Sequence, residues 1–224
     1  MNAPIKQSRL GDPPKNDPSC IVKIASEYVS CDNHGRCRRP DCEVCEWIKS
    51  KKMVGTVDTL TVETFNLLSI TLTRPPSTAC LERQVKDLIE AFKRLRTLAP
   101  WKNSIFGGVR CIHAPYDAIA QSWHPHIHVL AEGWTTEAKE IEYRWLQITG
   151  GYAQVKVIDG EEHRRHMAWY VSKSPNEDLK DQPERLAEFL KVRKRFRSKQ
   201  TLGNLYGNPL YPTRRKKSRN GAKQ

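Results

Sequence analysis

The sequence predicts an α+β protein: a central antiparallel or mixed β-sheet with helices packed on one face, preceded by a small cysteine-rich segment. Three observations predict it. Short runs that alternate apolar and polar residues recur between stretches of helical period. Their order reads β, α, β, β, α, β, α without internal repeat, which suits helices laid on a sheet. Four cysteines crowd between Cys31 and Cys45, ahead of the first strong strand.

Residues 1–20 carry Pro and Lys with little hydrophobic pattern and are expected to be disordered. Residues 21–60 hold the cysteine-rich segment. Cys42 and Cys45 have the C-x2-C spacing that wraps a tetrahedral zinc, and Cys31 and Cys37 complete four thiolates, with His34 as an alternative ligand. A site closed by four ligands is structural. Cys20, Cys80 and Cys111 read as ordinary buried or free thiols.

Residues 61–206 form the main domain. Phe65 to Thr73 alternates as a strand, with Leu68, Ile70 and Leu72 facing one way, and Arg74-Pro75-Pro76 stops it. Leu81 to Leu98 places Leu81, Val85, Leu88, Phe92 and Leu95 on one helical stripe. Ile105–His113 is a second strand and His126–Leu130 a third. A second amphipathic helix carries Ala138, Ile141, Trp145 and Ile148 and breaks at Gly150-Gly151. Tyr152–Ile158 is a fourth strand, and Glu161–Lys173 a helix ended by Ser174-Pro175. Residues 207–224 are expected to form a basic, flexible tail.

The third strand carries the chemistry. In Trp123-His124-Pro125-His126-Ile127-His128-Val129-Leu130, strand alternation puts His126 and His128 on one face, where two neutral imidazoles chelate a divalent cation. If the strand pairs antiparallel with Ile105–His113 about a loop centred near Ile119–Ala120, His113 falls opposite His126 and becomes a third ligand. Three histidines leave positions open for water and a phosphate oxygen. His124, at the strand's edge before Pro125, is a supporting or DNA-contacting residue.

On the last helix Tyr170 and Lys173 are neighbours at i and i+3, and His166 lies one turn before the tyrosine. A phenol of pKa about 10 is a poor nucleophile unless a nearby cation favours the phenolate. The net charge is +13, and residues 183–224 hold thirteen Lys/Arg against two Glu. The blocks Lys191–Arg197 and Arg214–Lys217 read as phosphate-binding surface. No run is long and apolar enough to span a membrane, and no leader-like segment opens the chain, so a cytoplasmic location without a membrane partner is expected.

Leu68-Ser69-Ile70-Thr71-Leu72-Thr73, His124-Pro125-His126-Ile127-His128-Val129-Leu130 and Trp169-Tyr170-Val171-Ser172-Lys173 together resemble, in order, three motifs of the HUH superfamily of single-strand endonucleases. Within it the chain looks like the rolling-circle replication initiators of small plasmids, over about residues 31 to 206. The resemblance implies an HUH endonuclease-like fold. It implies that Tyr170 nicks one strand of origin DNA (single-stranded or hairpin) and stays attached to the 5′ phosphate. His113, His126 and His128 would hold Mn²⁺ or Mg²⁺ on the scissile phosphate, with Lys173 neutralising it. Many relatives have glutamate where His113 and His166 stand; His166 could serve as a base. No second tyrosine stands one turn from Tyr170. No G-x-x-x-x-G-K-[ST] occurs, so a separate helicase, with the host DNA polymerase, is implied. An HUH transposase or mobilisation relaxase shares the chemistry. A non-catalytic zinc-dependent DNA-binding regulator and a metal hydrolase of small substrates are rivals from other classes.

Overall fold

A computed structural model describes residues 20–24, 27–31, 42–58, 66–173, 179 and 181–205. Residues 1–19, His34, Cys37 and the block Arg214–Lys217 lie outside the described residues.

A hairpin of β1 (Cys20–Ile24) and β2 (Glu27–Cys31) sets Cys20 opposite Cys31. Helix α1 follows, Glu43–Asp58. Among the described residues the main sheet has five strands: β3 (Asn66–Thr73), β4 (Ile105–His113), β7 (His126–Gly133), β8 (Ala153–Val157) and β9 (Lys199–Gly203). Their order is β8-β3-β7-β4-β9, and every pairing is antiparallel. Between β4 and β7, the two-residue strands β5 (Tyr116–Asp117) and β6 (Ser122–Trp123) pair to close the connection. The Asp117 carboxylate accepts the N–H groups of Ile119 and Ala120 there.

Leu68, Ile70 and Leu72 of β3, Ile112 of β4, and Ile127 and Val129 of β7 form one face of the sheet. It packs on α2 (Leu81–Thr97), α3 (Ala99–Ser104), α4 (Ala138–Thr149) and α6 (Pro183–Arg193). The stripe Leu81, Val85, Leu88, Phe92 and Leu95 is buried as its spacing predicts. The Trp145 indole N–H bonds the Thr73 carbonyl at 2.8 Å, tying α4 to the end of β3. Gly150 then ends α4 in the left-handed region, φ 68°, where a side chain would be strained.

Helices do not lie on one face only. Leu67, Val109 and Leu130 point to the opposite face and build a second core with Met53, Val54 and Val57 of α1 and Ala168 and Val171 of α5 (Glu161–Ser172). β7 is therefore apolar on both faces, apart from its histidines and Glu132, as a strand covered from both sides should be. This second layer carries the candidate site.

The hairpin of β1 and β2, the short α3, β5 and β6, and the longer α1, α6 and β9 were not expected. In α1 the buried stripe is broken by Glu46 and Ser50, both buried, which hides its amphipathic period. In α6 the basic residues mask the buried Phe189 and Val192. Arg193, counted above with the phosphate-binding surface, is instead buried against Glu46 at 2.6 Å. Arg195 pairs with Glu82. A buried carboxylate needs such a partner, so Arg193 is withdrawn from the DNA-facing surface.

Candidate metal centre and tyrosine

β7 is the middle strand, so its side chains are held by pairing on both sides. The register puts His113 opposite His126, and places Thr71 and Cys111 on either side of His128. One nitrogen from each of His113, His126 and His128 lies within 4.8 Å of the others, on the face covered by α5. Closing a hairpin about residues 119 and 120 produces this juxtaposition.

Each ring is oriented by a second bond. His113 Nε2 donates to the Val171 carbonyl at 3.0 Å, so its lone pair is at Nδ1. His126 Nδ1 donates to the His124 carbonyl at 2.9 Å, so its lone pair is at Nε2. His124 thus acts through its backbone, while its ring meets the Ser122 hydroxyl at 3.1 Å. His128 Nδ1 meets the Thr71 hydroxyl at 3.2 Å, and its Nε2 is buried without a hydrogen-bond partner. Burial, followed by the neighbouring His113 and His126, pushes His128 down to about 3, so the ring is neutral. A neutral imidazole with a buried nitrogen beside two others fits a divalent cation, which would satisfy that nitrogen. Thr71 escaped the sequence reading, although strand alternation already set it opposite Leu68, Ile70 and Leu72. Cys111 is no competitor: burial pushes its thiol up to about 12.

Tyr170 stands at the end of α5 with its ring centroid 5.4 Å from that of His128 and 6.2 Å from that of His113. It remains 47% exposed, unlike a core tyrosine. His166 lies one turn earlier and is also exposed. The helix ends at Ser172, one residue short of the expectation. Lys173 keeps an N–H contact to the Tyr170 carbonyl at 3.3 Å, but its ψ of 143° turns the chain out of the helix.

The last turn of α5 is fixed from a second side. The Ser172 carbonyl accepts from Lys199 Nζ at 2.7 Å and from the Ser50 hydroxyl. Lys199 Nζ also reaches Ser50 Oγ at 3.1 Å and Glu46 Oε2 at 3.6 Å. Burial would raise the Glu46 carboxyl, but Arg193, Lys199 and Lys49 together hold it below its ordinary value. It is a buried carboxylate with three cations around it. No local sequence signal marks these residues.

A second cluster begins where α1 begins. Cys31, Cys42 and Cys45 are buried with sulfurs within 4.8 Å of one another. The Cys31 and Cys45 sulfurs are 3.9 Å apart, far beyond a disulfide bond and close to the edge of about 3.8 Å expected of two thiolates on one zinc.

Residues 29–132 match the replication protein family. The match runs from β2 through β7 and so takes in the three histidines, while α5 with Tyr170 lies beyond it. A curated Rep protein of Streptococcus pneumoniae serotype 2 (strain D39) is 26% identical over 102 residues, 42% of this chain and 32% of that protein. The chain thus covers about a third of the length of that relative. No solved structure gives a significant match. These similarities are consistent with a plasmid replication initiator and agree with the resemblance drawn from the motifs. Among the described residues, no helix is long and apolar enough to cross a membrane.

Proposed function

We propose that this chain is a plasmid rolling-circle replication initiator that nicks and rejoins one DNA strand through Tyr170. The observation that carries the reading is the exposed phenol beside His113 and His128. The replication-protein match and the Rep likeness support the class of process. The phenol oxygen attacks the scissile phosphorus, forming the Tyr–O–P bond as the P–O3′ bond breaks. The 5′ phosphate stays on the protein, and the departing 3′ oxygen takes a proton to become the hydroxyl that primes synthesis. In the reverse transfer a 3′-hydroxyl attacks the phosphotyrosine and the phenol is restored.

His113, His126 and His128 would hold the cation, Mn²⁺ or Mg²⁺. When bound, the cation neutralises charge on the phosphate oxygens. Lys173 adds positive charge beside the phenol, and His166 takes or returns a proton in termination. Cys31, Cys42 and Cys45, with Cys37, hold a structural zinc. Origin DNA is the substrate, and a separate helicase and the host polymerase extend the primer.

The test is incubation of the protein and its Tyr170→Phe variant with Mn²⁺ and a pool of labelled single-stranded oligonucleotides. Wild type should give a band that survives denaturation, and the variant should bind DNA without forming it. An equal band from both proteins removes Tyr170 from the mechanism.

A further inference from the structure

The group that carries Tyr170 into place is built from parts of the chain far from it. Ser172, the last residue of α5, would leave an orphan carbonyl at a helix C-terminus. That carbonyl lies two residues beyond the tyrosine. Lys199 Nζ, with its side chain only 6% exposed, donates to it at 2.7 Å and spends its other contacts on Ser50 and Glu46. Ser50 Oγ accepts from Lys199 while its own proton serves the Ser172 carbonyl. Glu46 follows Cys45 directly and Ser50 comes one turn later, so α1 delivers both from the cysteine cluster. The neighbouring Val171 carbonyl is taken by His113. The two successive carbonyls at the end of α5 are thus pinned separately, one to the histidine cluster and one to α1 and β9.

We propose that Lys199, with Glu46 and Ser50, is a positioning residue that sets Tyr170 against the histidine cluster. The proposal rests on the reading of Tyr170 as nucleophile for its catalytic consequence, but not for its geometry. The ammonium supplies three donors in a buried place where water cannot replace them, so its loss frees the last turn of α5. Displacement of a nucleophile by about 1 Å is enough to cost about 100-fold in rate.

The geometry is tested without DNA, by placing 3-fluorotyrosine at position 170 of the full chain and recording its ¹⁹F spectrum in Mg²⁺. Wild type should give one narrow resonance. Lys199→Met should broaden or split it, and Lys199→Arg, which keeps a buried donor, should restore it. A spectrum of Lys199→Met identical to wild type overturns the proposal. If Lys199→Met fails to fold by circular dichroism, Ser50→Ala decides: it removes one bond to the Ser172 carbonyl and no charge, and an unchanged spectrum again overturns the proposal.

Adduct formation on the labelled single-strand pool with Mn²⁺ supplies the second readout. Lys199→Met should slow it about 10- to 100-fold at saturating DNA while the half-saturating concentration stays the same. A raised half-saturating concentration with an unchanged saturated rate overturns positioning in favour of DNA binding. Should Tyr170→Phe still form the adduct, the nucleophile assignment fails while the ¹⁹F result stands on its own.

Discussion

The imidazole of His113 holds the backbone of Val171, Nε2 to carbonyl oxygen at 3.0 Å, so the histidine cluster and the tyrosine helix are joined through one hydrogen bond. The same bond leaves Nδ1 as the nitrogen with the lone pair, which gives His113 two duties. Replacing it with alanine should therefore weaken cation binding and also loosen the end of α5. Mn²⁺ affinity by electron paramagnetic resonance and amide exchange at Val171 and Ser172 should both change. Loss of affinity with unaltered exchange would show that the bond to Val171 does not restrain the helix.

Thr71 meets His128 Nδ1 at 3.2 Å and orients the ring whose Nε2 has no other partner. Thr71→Val keeps the shape and removes the hydroxyl. Supporting residues of this kind change metal affinity by about 10- to 100-fold, and a Mn²⁺ titration should read a loss in that range. An affinity equal to wild type would mean that packing alone orients His128.

Glu46 is completely buried between Lys49, Arg193 and Lys199. Glu46→Leu removes the only carboxylate of that group and strands buried cations. Breaking a buried pair in this way costs about 3–5 kcal/mol, so the urea midpoint should fall sharply. A second change, Arg193→Met, made in the same chain should recover part of the loss.

Glu142 accepts the Val155 N–H at 2.9 Å and so fastens β8 to α4. Burial raises its carboxyl, but the Val155 N–H and Lys139 outweigh it and hold the group below its ordinary value. A lowered folded pKa stabilises above the ordinary carboxylate value, and the contribution is lost as pH falls through the lowered value. Amide protection at Val155 should decline over that acid window. Glu142→Gln keeps an acceptor without a titrating proton, and its Val155 protection should stay flat there.

Cys45 is within 3.9 Å of Cys31 at sulfur, in the buried cluster at the start of α1. Cys45→Ser should lower the zinc content of the purified protein, read by elemental analysis. Full zinc occupancy in the variant would remove Cys45 from the ligand set.

The elements that could be read from the sequence share one property: their buried side is apolar and periodic. The stripe from Leu81 to Leu95 and the alternation of Leu68, Ile70 and Leu72 needed no tertiary information. The opposition of His113 and His126 could also be read, because a hairpin fixes its partners by arithmetic once the turn is placed. Helix α1 could not, since Glu46 and Ser50 occupy its buried side and are paid for by Arg193 and Lys199, remote in sequence. Strand β9, Lys-Gln-Thr-Leu-Gly, has weak alternation and exists by pairing with β4. Gly203 there takes φ 54°, and a Cβ would fall 1.9 Å from the Phe106 carbonyl oxygen, so only glycine admits this approach.

Because Lys199 lies on β9, the seat of the tyrosine helix includes the strand that is made last among those of the main sheet. A nascent chain with α5 already outside the ribosome has its histidines and its tyrosine, yet the end of that helix waits for residue 199. On the proposed positioning role of Lys199, the Tyr170 side chain gains its fixed setting only once β9 has been synthesised.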